Sequence, residues 1–215
     1  TLLDHNVKFL RISNSGFYQN TYQKSHRRGD INLVKSNMYL LRHLMDKRKH
    51  SIDIELFYHM YKSNIGEDII EMKKLCDDLN YRFTPIVANF VSVEKVMKYL
   101  ENEISNEDKS TISNLLISIE KSINISNVKK DSSCHLYENQ IVINFDGTIP
   151  LCCGVYDPKY LLCKNILKHS LLDIQESKSK FSEYCTKCTE SGIHNYLMAK
   201  NKEGIQSFVS KEYHL

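Results

Sequence analysis

Apolar positions in the first hundred residues follow two periodicities, one typical of strands and one typical of helices. Segments rich in β-branched and aromatic residues predict three strands, at residues 7–12, 52–58 and 81–87. Apolar residues recur at helical spacing after Asp30, from about Glu67 and after Ser92. Asp30 and Ser92 are suitable N-caps for these helices. Because strands alternate with helices, we expect an α/β fold with βαβ units and a parallel sheet.

The pattern changes in the second half of the chain. One further helix is predicted over residues 107–123 from a stripe of Ile and Leu residues. Residues 124–133 are polar and lack periodicity, so we expect two domains, residues 1–128 and 129–215. Two β-rich segments flank Asp146-Gly147, which predicts a β-hairpin over residues 140–153, and a short helix is predicted near residues 171–177.

Three predicted strands are too few to complete either common form of a parallel sheet. A complete barrel has about eight strands, and an open doubly wound sheet usually has five or six. The chain also begins at Thr1 rather than at Met. We therefore expect residues 1–128 to be the second half of a larger domain, in a chain that was processed or belongs to a longer protein.

Composition and charge exclude some classes of function. The 215 residues carry a formal net charge of +3, and no run of Lys or Arg is long enough to mark a nucleic-acid or membrane surface. No stretch approaches the roughly 18 apolar residues of a membrane span, and no signal peptide is evident. We therefore expect a cytoplasmic protein that binds neither nucleic acid nor membranes. Abundant Lys, Asn, Ile and Ser are typical of bacterial proteins from AT-rich genomes.

Six of the seven cysteines lie in the C-terminal part of the chain. Without a secretory signal, this clustering favours a metal site over a disulfide framework. Cys185 and Cys188 form a CxxC turn, Cys134 precedes the first strand of the predicted hairpin, and Cys152 lies on its second strand. Four thiolates suit either tetrahedral zinc or an iron–sulfur cluster, and the spacing alone does not decide between them.

The remaining cysteines have other interpretations. Cys153 follows Cys152 directly, and neighbours in a strand point to opposite faces, so only one of the two can face the site. Cys163 is either a small core residue or a spare ligand. Cys76 lies on an apolar helix stripe and is expected in the core.

The C-terminal cysteines belong to a longer pattern. Cys134 is followed by a spacer, a Gly147-x4-Cys152 element, the sequence Lys164-Asn165-Ile166, and then Cys185-Thr-Lys-Cys188. This order resembles the SPASM/twitch extension of radical S-adenosylmethionine (radical SAM) enzymes, with Lys164 in place of the Gly of a GNI-like stretch. The resemblance selects Cys152 over Cys153. It implies one auxiliary 4Fe–4S cluster held by four ligands: Cys134, Cys152, Cys185 and Cys188.

The N-terminal part is similar to the same family. Ile12-Ser-Asn-Ser-Gly16, followed by Arg28-Gly29, resembles the strand-four region of the radical SAM barrel. The resemblance implies the C-terminal half of a partial (β/α)6 barrel, followed by a small α+β twitch/SPASM domain with a β-hairpin. It assigns Ser13 and Arg28 to S-adenosylmethionine binding, while Asn14-Ser15 and Asn80 depart from the family pattern.

One family motif has no match in this sequence. The Cys-x3-Cys-x2-Cys loop that binds the initiating cluster is not found among the seven cysteines. The chain therefore resembles the C-terminal portion of such an enzyme and should be inactive alone. In the intact enzyme, the resemblance implies S-adenosylmethionine, an electron donor such as flavodoxin or ferredoxin, and a sugar, aminocyclitol or peptide substrate. A structural zinc module and an electron-transfer adaptor are the alternatives.

Other candidate residues have ordinary explanations beside functional ones. His135 and His194 lie near the cysteines in sequence, but four thiolates already complete a site. Tyr58 and His59 end the second predicted strand, where they either line a substrate cavity or form a half-buried strand end. The sequence contains no Gly-rich phosphate loop and no nucleophile–base arrangement, so it identifies no catalytic residue.

Overall fold

The computed structural model describes residues 2–5, 7–128 and 133–213, which form two compact units. One unit comprises residues 1–88 and 114–116, and the other comprises residues 89–113 and 117–215. The predicted boundary after residue 128 adjoins residues 129–132, which lie outside the described residues. The two units are defined by packing within this chain and not by family membership. The boundary at residue 128 between a barrel domain and a twitch/SPASM domain therefore stays a prediction.

The first unit contains a three-stranded parallel sheet in the order β1-β2-β3. Its elements are a short 3-10 helix (Leu2–His5), β1 (Phe9–Asn14), α1 (Gln19–Ser25), α2 (Ile31–Arg48), β2 (Asp53–Met60), α3 (Glu67–Asp78) and β3 (Arg82–Val87). Each predicted strand starts and ends within two residues of the observed one. The predicted α/β fold with a parallel sheet is therefore confirmed.

The core of the first unit follows from the two periodicities. Alternate residues of β2 are nearly inaccessible to solvent: Ile54, Leu56, Tyr58 and Met60. Buried residues of the two longer helices complete this core: Ile31, Met38 and Met45 from α2, with Met72, Leu75 and Cys76 from α3. The Asp30 carboxylate accepts hydrogen bonds from the backbone N–H groups of Asn32 and Leu33, so the predicted cap of α2 is confirmed.

The other face of β2 carries a polar row. The buried carboxylate of Glu55 accepts a hydrogen bond from Arg11 Nη2 of β1 at 2.9 Å and another from Thr84 Oγ1 of β3 at 2.9 Å. Because a buried carboxylate needs such partners, this row ties the three strands together on the polar face.

The second unit is mainly helical and contains a small two-stranded antiparallel sheet. Its helices are α4 (Val93–Leu100), α5 (Asn106–Ser113), α6 (Ile119–Ser126), α7 (His135–Asn139), α8 (Leu171–Ser177), α9 (Ser182–Glu190), α10 (Ile193–Leu197) and α11 (Lys202–Tyr213). Its strands are β4 (Ile149–Pro150) and β5 (Leu161–Cys163), and its 3-10 helices are Pro158–Tyr160, Ile166–Lys168 and Lys178–Phe181. The predicted helices after Ser92 and near residues 171–177 are confirmed, although the Ser92 hydroxyl makes no capping hydrogen bond.

The single helix predicted over residues 107–123 is wrong, because this segment forms two helices, α5 and α6, with a break between them. Asn114 Oδ1 accepts a hydrogen bond from the Ser63 backbone N–H at 3.1 Å. Three consecutive residues, 115–117, are all buried, which no single face of a continuous helix allows. The Ser118 hydroxyl then caps the new helix by accepting from the Lys121 N–H.

The predicted hairpin over residues 140–153 forms only at its turn. The Asn144 N–H donates to Thr148 O at 2.9 Å, and Gly147 has a φ of +81°, as the turn requires. Residues 140–145 form no strand, and β4 instead pairs with β5 further along the chain. The apolar side chains of the first segment stay accessible, with Phe145 fully exposed, so burial does not hold that segment in a sheet.

Candidate metal centre

Three separate segments of the second unit bring the four predicted ligands together. Cys134 is the residue before α7, and Cys152 follows β4 in a turn rather than on a hairpin strand as predicted. Cys185 and Cys188 lie on α9, where a spacing of three residues places both side chains on one side of the helix. The CxxC pair therefore forms part of a helix and not an isolated turn.

All four cysteines line one cavity. Its other walls are apolar or aromatic side chains: Val93, Tyr137, Leu151, Val155 and Tyr184. The cavity holds about 330 Å³ of space free of protein atoms, part of it open to solvent. A pocket walled by thiols and apolar groups offers soft sulfur ligands and few competing oxygen ligands.

Burial governs the electrostatics of the thiols. It raises the pKa of Cys152 to about 12, that of Cys185 to about 11 and that of Cys188 to about 12. The neighbouring cysteines raise each of these pKa values further, because a second thiolate nearby repels the first. The surroundings of these three thiols therefore oppose free thiolates, and a bound cation would relieve both the burial and the repulsion.

Two backbone N–H groups favour the thiolate form. The amide of Gly154 interacts with the Cys152 sulfur and lowers the pKa of that thiol, against the larger effect of burial. The amide of His194 acts in the same way on Cys188. Hydrogen bonds to ligand sulfurs are one of the means by which proteins set the reduction potential of a cluster.

The other cysteines lie elsewhere. Cys153 is exposed and is not among the residues that line the cavity. Cys163 is buried in a separate apolar cluster with Ile149 and Ile174. Cys76 is buried in the first unit, where burial raises its pKa to about 12, as expected of a core thiol.

Lining a common cavity does not by itself group the four thiols around a metal ion. Within residues 2–5, 7–128 and 133–213, no group of three or more His, Cys, Asp or Glu side chains is arranged to hold a single metal ion. A zinc ion would draw its sulfur ligands to about 2.3 Å from one centre. In a 4Fe–4S cluster each thiolate binds a different iron, so the sulfurs stand further apart. Thiolates are ligands in both kinds of site, so the lining of the cavity fits either group.

Ser13 and Arg28, the residues assigned to S-adenosylmethionine by resemblance, both have exposed side chains in the first unit. Ser13 lies in register with Phe57 in the sheet, and Arg28 has a φ of 63°. In the part of the chain that the structure describes, these two side chains make no hydrogen bond with each other. The arrangement leaves both accessible to a ligand without joining them to each other.

The remaining candidates have structural surroundings. Tyr58 is fully buried, and its hydroxyl donates to Asn64 O at 3.0 Å. His59 is half-buried, with Nδ1 3.4 Å from Asn14 O, and His135 is exposed next to Asn139. The side chain of Tyr58 thus belongs to the core rather than to a substrate cavity.

Sequence reasoning missed two residues that hold the cavity in place. Glu94 Oε1 accepts the backbone N–H groups of Tyr156 at 2.8 Å and Asp157 at 2.7 Å, which fixes the loop after Cys152. Lys178 is 1% exposed and donates to backbone carbonyls near the end of α7. Lys178 stands in a charged, polar stretch of sequence, and Glu94 is a charged residue in the first turn of a helix. An exposed side chain is the usual expectation for both, so no local signal marked either as structural.

Comparison with known proteins assigns no family to the chain: no protein-family model matches the sequence, and no curated protein is similar enough to match it. Among the helices of the described residues, none is both long enough and apolar enough to span a membrane.

Proposed function

We propose that the four cysteines of the second unit bind one 4Fe–4S cluster. The observation that carries the proposal is that thiols from three segments line one cavity with apolar walls. Thiolates are the usual ligands of such clusters, and an apolar surrounding limits access of water to the bound group. The amides of Gly154 and His194 are placed to donate to two of the ligand sulfurs.

We further propose that the chain is the C-terminal portion of a radical SAM enzyme, in which this cluster is auxiliary. The sequence resemblance and the parallel βαβαβ unit support this assignment. The substrate would be a sugar, an aminocyclitol or a peptide, the reducing partner a flavodoxin or ferredoxin, and the location the cytoplasm. A bound cluster of this kind exchanges single electrons, while the protein supplies placement and tuning.

In this proposal the residues of the chain have separate tasks. The four cysteines bind the cluster, and the apolar walls of their cavity limit the access of water. Ser13 and Arg28 contribute to the S-adenosylmethionine site of the intact enzyme. Because the chain has no initiating Cys-x3-Cys-x2-Cys loop, it should bind its cluster without cleaving S-adenosylmethionine.

Zinc binding is the alternative that the same four thiols permit. A zinc site would make the second unit a structural module or part of an adaptor rather than of a redox enzyme. The cysteine pattern that resembles the twitch domain favours the cluster, whereas the lining of the cavity fits zinc equally well.

Anaerobic purification, followed by incubation with iron and sulfide or with zinc, tests the metal assignment. We expect a brown protein with visible absorption, iron and sulfide in equal amounts, and an electron paramagnetic resonance signal after reduction with dithionite. Cys152→Ser should lose most of the bound iron, because it removes a ligand. A colourless, oxygen-stable protein loaded with zinc would refute the cluster.

Cys153→Ser is the matched control for that variant. It changes the same type of residue at the adjacent position, but Cys153 is exposed and is not among the residues that line the cavity. It should therefore bind iron as the unchanged chain does. If Cys153→Ser loses iron and Cys152→Ser keeps it, the ligand assignment is wrong.

The gene sequence upstream of Thr1 tests the enzyme class. A Cys-x3-Cys-x2-Cys motif in the same reading frame would support a radical SAM enzyme, whose barrel also needs the earlier strands. A complete reading frame without that motif would contradict it and leave a metal-binding module.

A further inference from the structure

Lys178 is the most unusual charged residue of the second unit. It begins the 3-10 helix Lys178–Phe181 and is only 1% exposed. Its Nζ donates to the backbone carbonyls of Tyr137 and Gln140, the latter at 2.8 Å. Among the described residues, no Asp or Glu forms an ion pair with Lys178, whereas buried lysines normally have such a partner.

Two carbonyl groups do not replace the solvation of an ammonium ion. The free energy needed to move a charge from water into a protein interior is several times larger than the stabilisation that neutral hydrogen bonds provide. A buried cation therefore usually lies next to an anion. Lys178 is therefore placed where a negatively charged group beside it would be stabilised.

Lys178 contacts one wall of the cavity that the four cysteines line. Its Nζ lies 5.4 Å from the ring centroid of Tyr137, which lines the cysteine cavity. Cys134, Cys152 and Cys185 each favour the charged form of Lys178, although burial lowers its pKa. In return, the charge of Lys178 favours the thiolate of Cys185.

We propose that Lys178 compensates the negative charge of the four-thiolate cluster and raises its reduction potential; this inference rests on the proposed function. Reduction adds one electron, taken from an external low-potential donor, to a group that is already negatively charged. A fixed cation beside it lowers the energy of the reduced form more than that of the oxidised form. Lys178 is a positioning residue, since it acts on the cluster through its charge and through the backbone of α7.

The test uses the full chain reconstituted with iron and sulfide, in four variants: Lys178→Gln, Lys178→Met, Lys178→Arg and Lys180→Gln. Lys180 is the matched control, because it is an exposed lysine two residues away. The reduction potential is measured by titration with dithionite in the presence of redox mediators, followed by visible absorption and electron paramagnetic resonance. Iron and sulfide are measured on each folded variant.

We expect the two neutral variants to have a lower reduction potential than the unchanged chain. At a fixed potential their ratio of reduced to oxidised cluster should fall at least tenfold, which corresponds to 59 mV for a one-electron couple. Lys178→Arg keeps the charge and should retain most of the potential, and Lys180→Gln should leave it unchanged. A purely structural role would change iron content or stability without this dependence on charge.

The outcomes separate this inference from the proposed function. If the unchanged chain binds no iron and sulfide, the cluster is refuted and the inference with it. If it binds a cluster whose potential is the same in the Lys178→Gln and Lys178→Met variants, the inference alone is refuted. Lys178→Gln keeps a donor for one carbonyl, so it keeps the test valid if Lys178→Met does not fold.

Discussion

Glu94 provides the sharpest test of how the cysteine cavity is held together. One carboxylate oxygen at the start of α4 accepts the N–H groups of Tyr156 and Asp157, at 2.8 and 2.7 Å. The Val93 N–H donates to Gly154 O at 2.8 Å beside them, so the loop after Cys152 is bound to this helix end. Removing the carboxylate leaves two backbone donors without their partner.

The expected cost of Glu94→Ala follows from these bonds. A hydrogen bond to a charged group contributes about 1.5–3 kcal/mol, and partial exposure of the loop brings the pair to about 3 kcal/mol in total. Glu94→Gln retains a carbonyl oxygen at the same place and loses only the charge, so it should cost about 1 kcal/mol. Glu94→Ala should therefore lower the free energy of unfolding more than Glu94→Gln does, and this ranking tests the reasoning as well as the two magnitudes do.

Urea unfolding of the cluster-free chain, followed by far-ultraviolet circular dichroism, measures these differences. A reductant and a chelator keep the thiols free, so that metal binding does not contribute to the free energy of unfolding. Glu103→Ala removes an exposed carboxylate from the same unit and should change this energy by less than about 0.5 kcal/mol. If Glu94→Ala is no more destabilising than Glu103→Ala, the loop is not held by this side chain.

Two further predictions concern other parts of the chain. Gly192→Ala should cost about 2 kcal/mol or more in urea unfolding, because Gly192 has a φ of +74° and an added Cβ would lie 1.9 Å from Asn127 Nδ2. Asn127→Ala in the same chain should restore part of the loss, and strictly additive effects would contradict the clash. Burial raises the pKa of Glu55, but hydrogen bonds from Thr84 and Arg11 lower it, and the pKa lies below its usual value. Its stabilising effect is therefore complete above the unfolded pKa of about 4.3 and is lost as the pH falls through the folded pKa. The difference in unfolding energy between the unchanged chain and Glu55→Gln should shrink from pH 7 to pH 3, and a constant difference would contradict this account.

Local patterns were sufficient to predict most of the sheet unit. The periodic segments around Ile54 and Met38 form the elements that their spacing indicates, and Asp30 caps α2 as its side chain allows. The prediction failed where a distant partner decided the local structure. Asn114 binds the backbone of Ser63, fifty-one positions away in sequence, and this bond accompanies the break between α5 and α6.

The predicted hairpin over residues 140–153 also failed because a distant segment decided the strand pairing. Asp146-Gly147 forms the turn that its sequence favours, but the segment after it pairs with Leu161–Cys163. Turn chemistry fixes the local reversal of the chain, while the choice of strand partner depends on which side chains can be buried. Ile149 and Cys163 are buried together in one cluster, whereas Phe145 stays in solvent.

The three ligand-bearing segments are each held by contacts that involve no cysteine side chain. Lys178 binds the carbonyls that follow Cys134, Glu94 binds the amides that follow Cys152, and the turn at Gly192 joins α9 to α10. A substitution at any of these positions removes a contact of a ligand segment while all four thiols remain in the chain. Such variants therefore separate the effect of ligand position and nearby charge from the loss of a ligand, which cysteine substitutions alone cannot do.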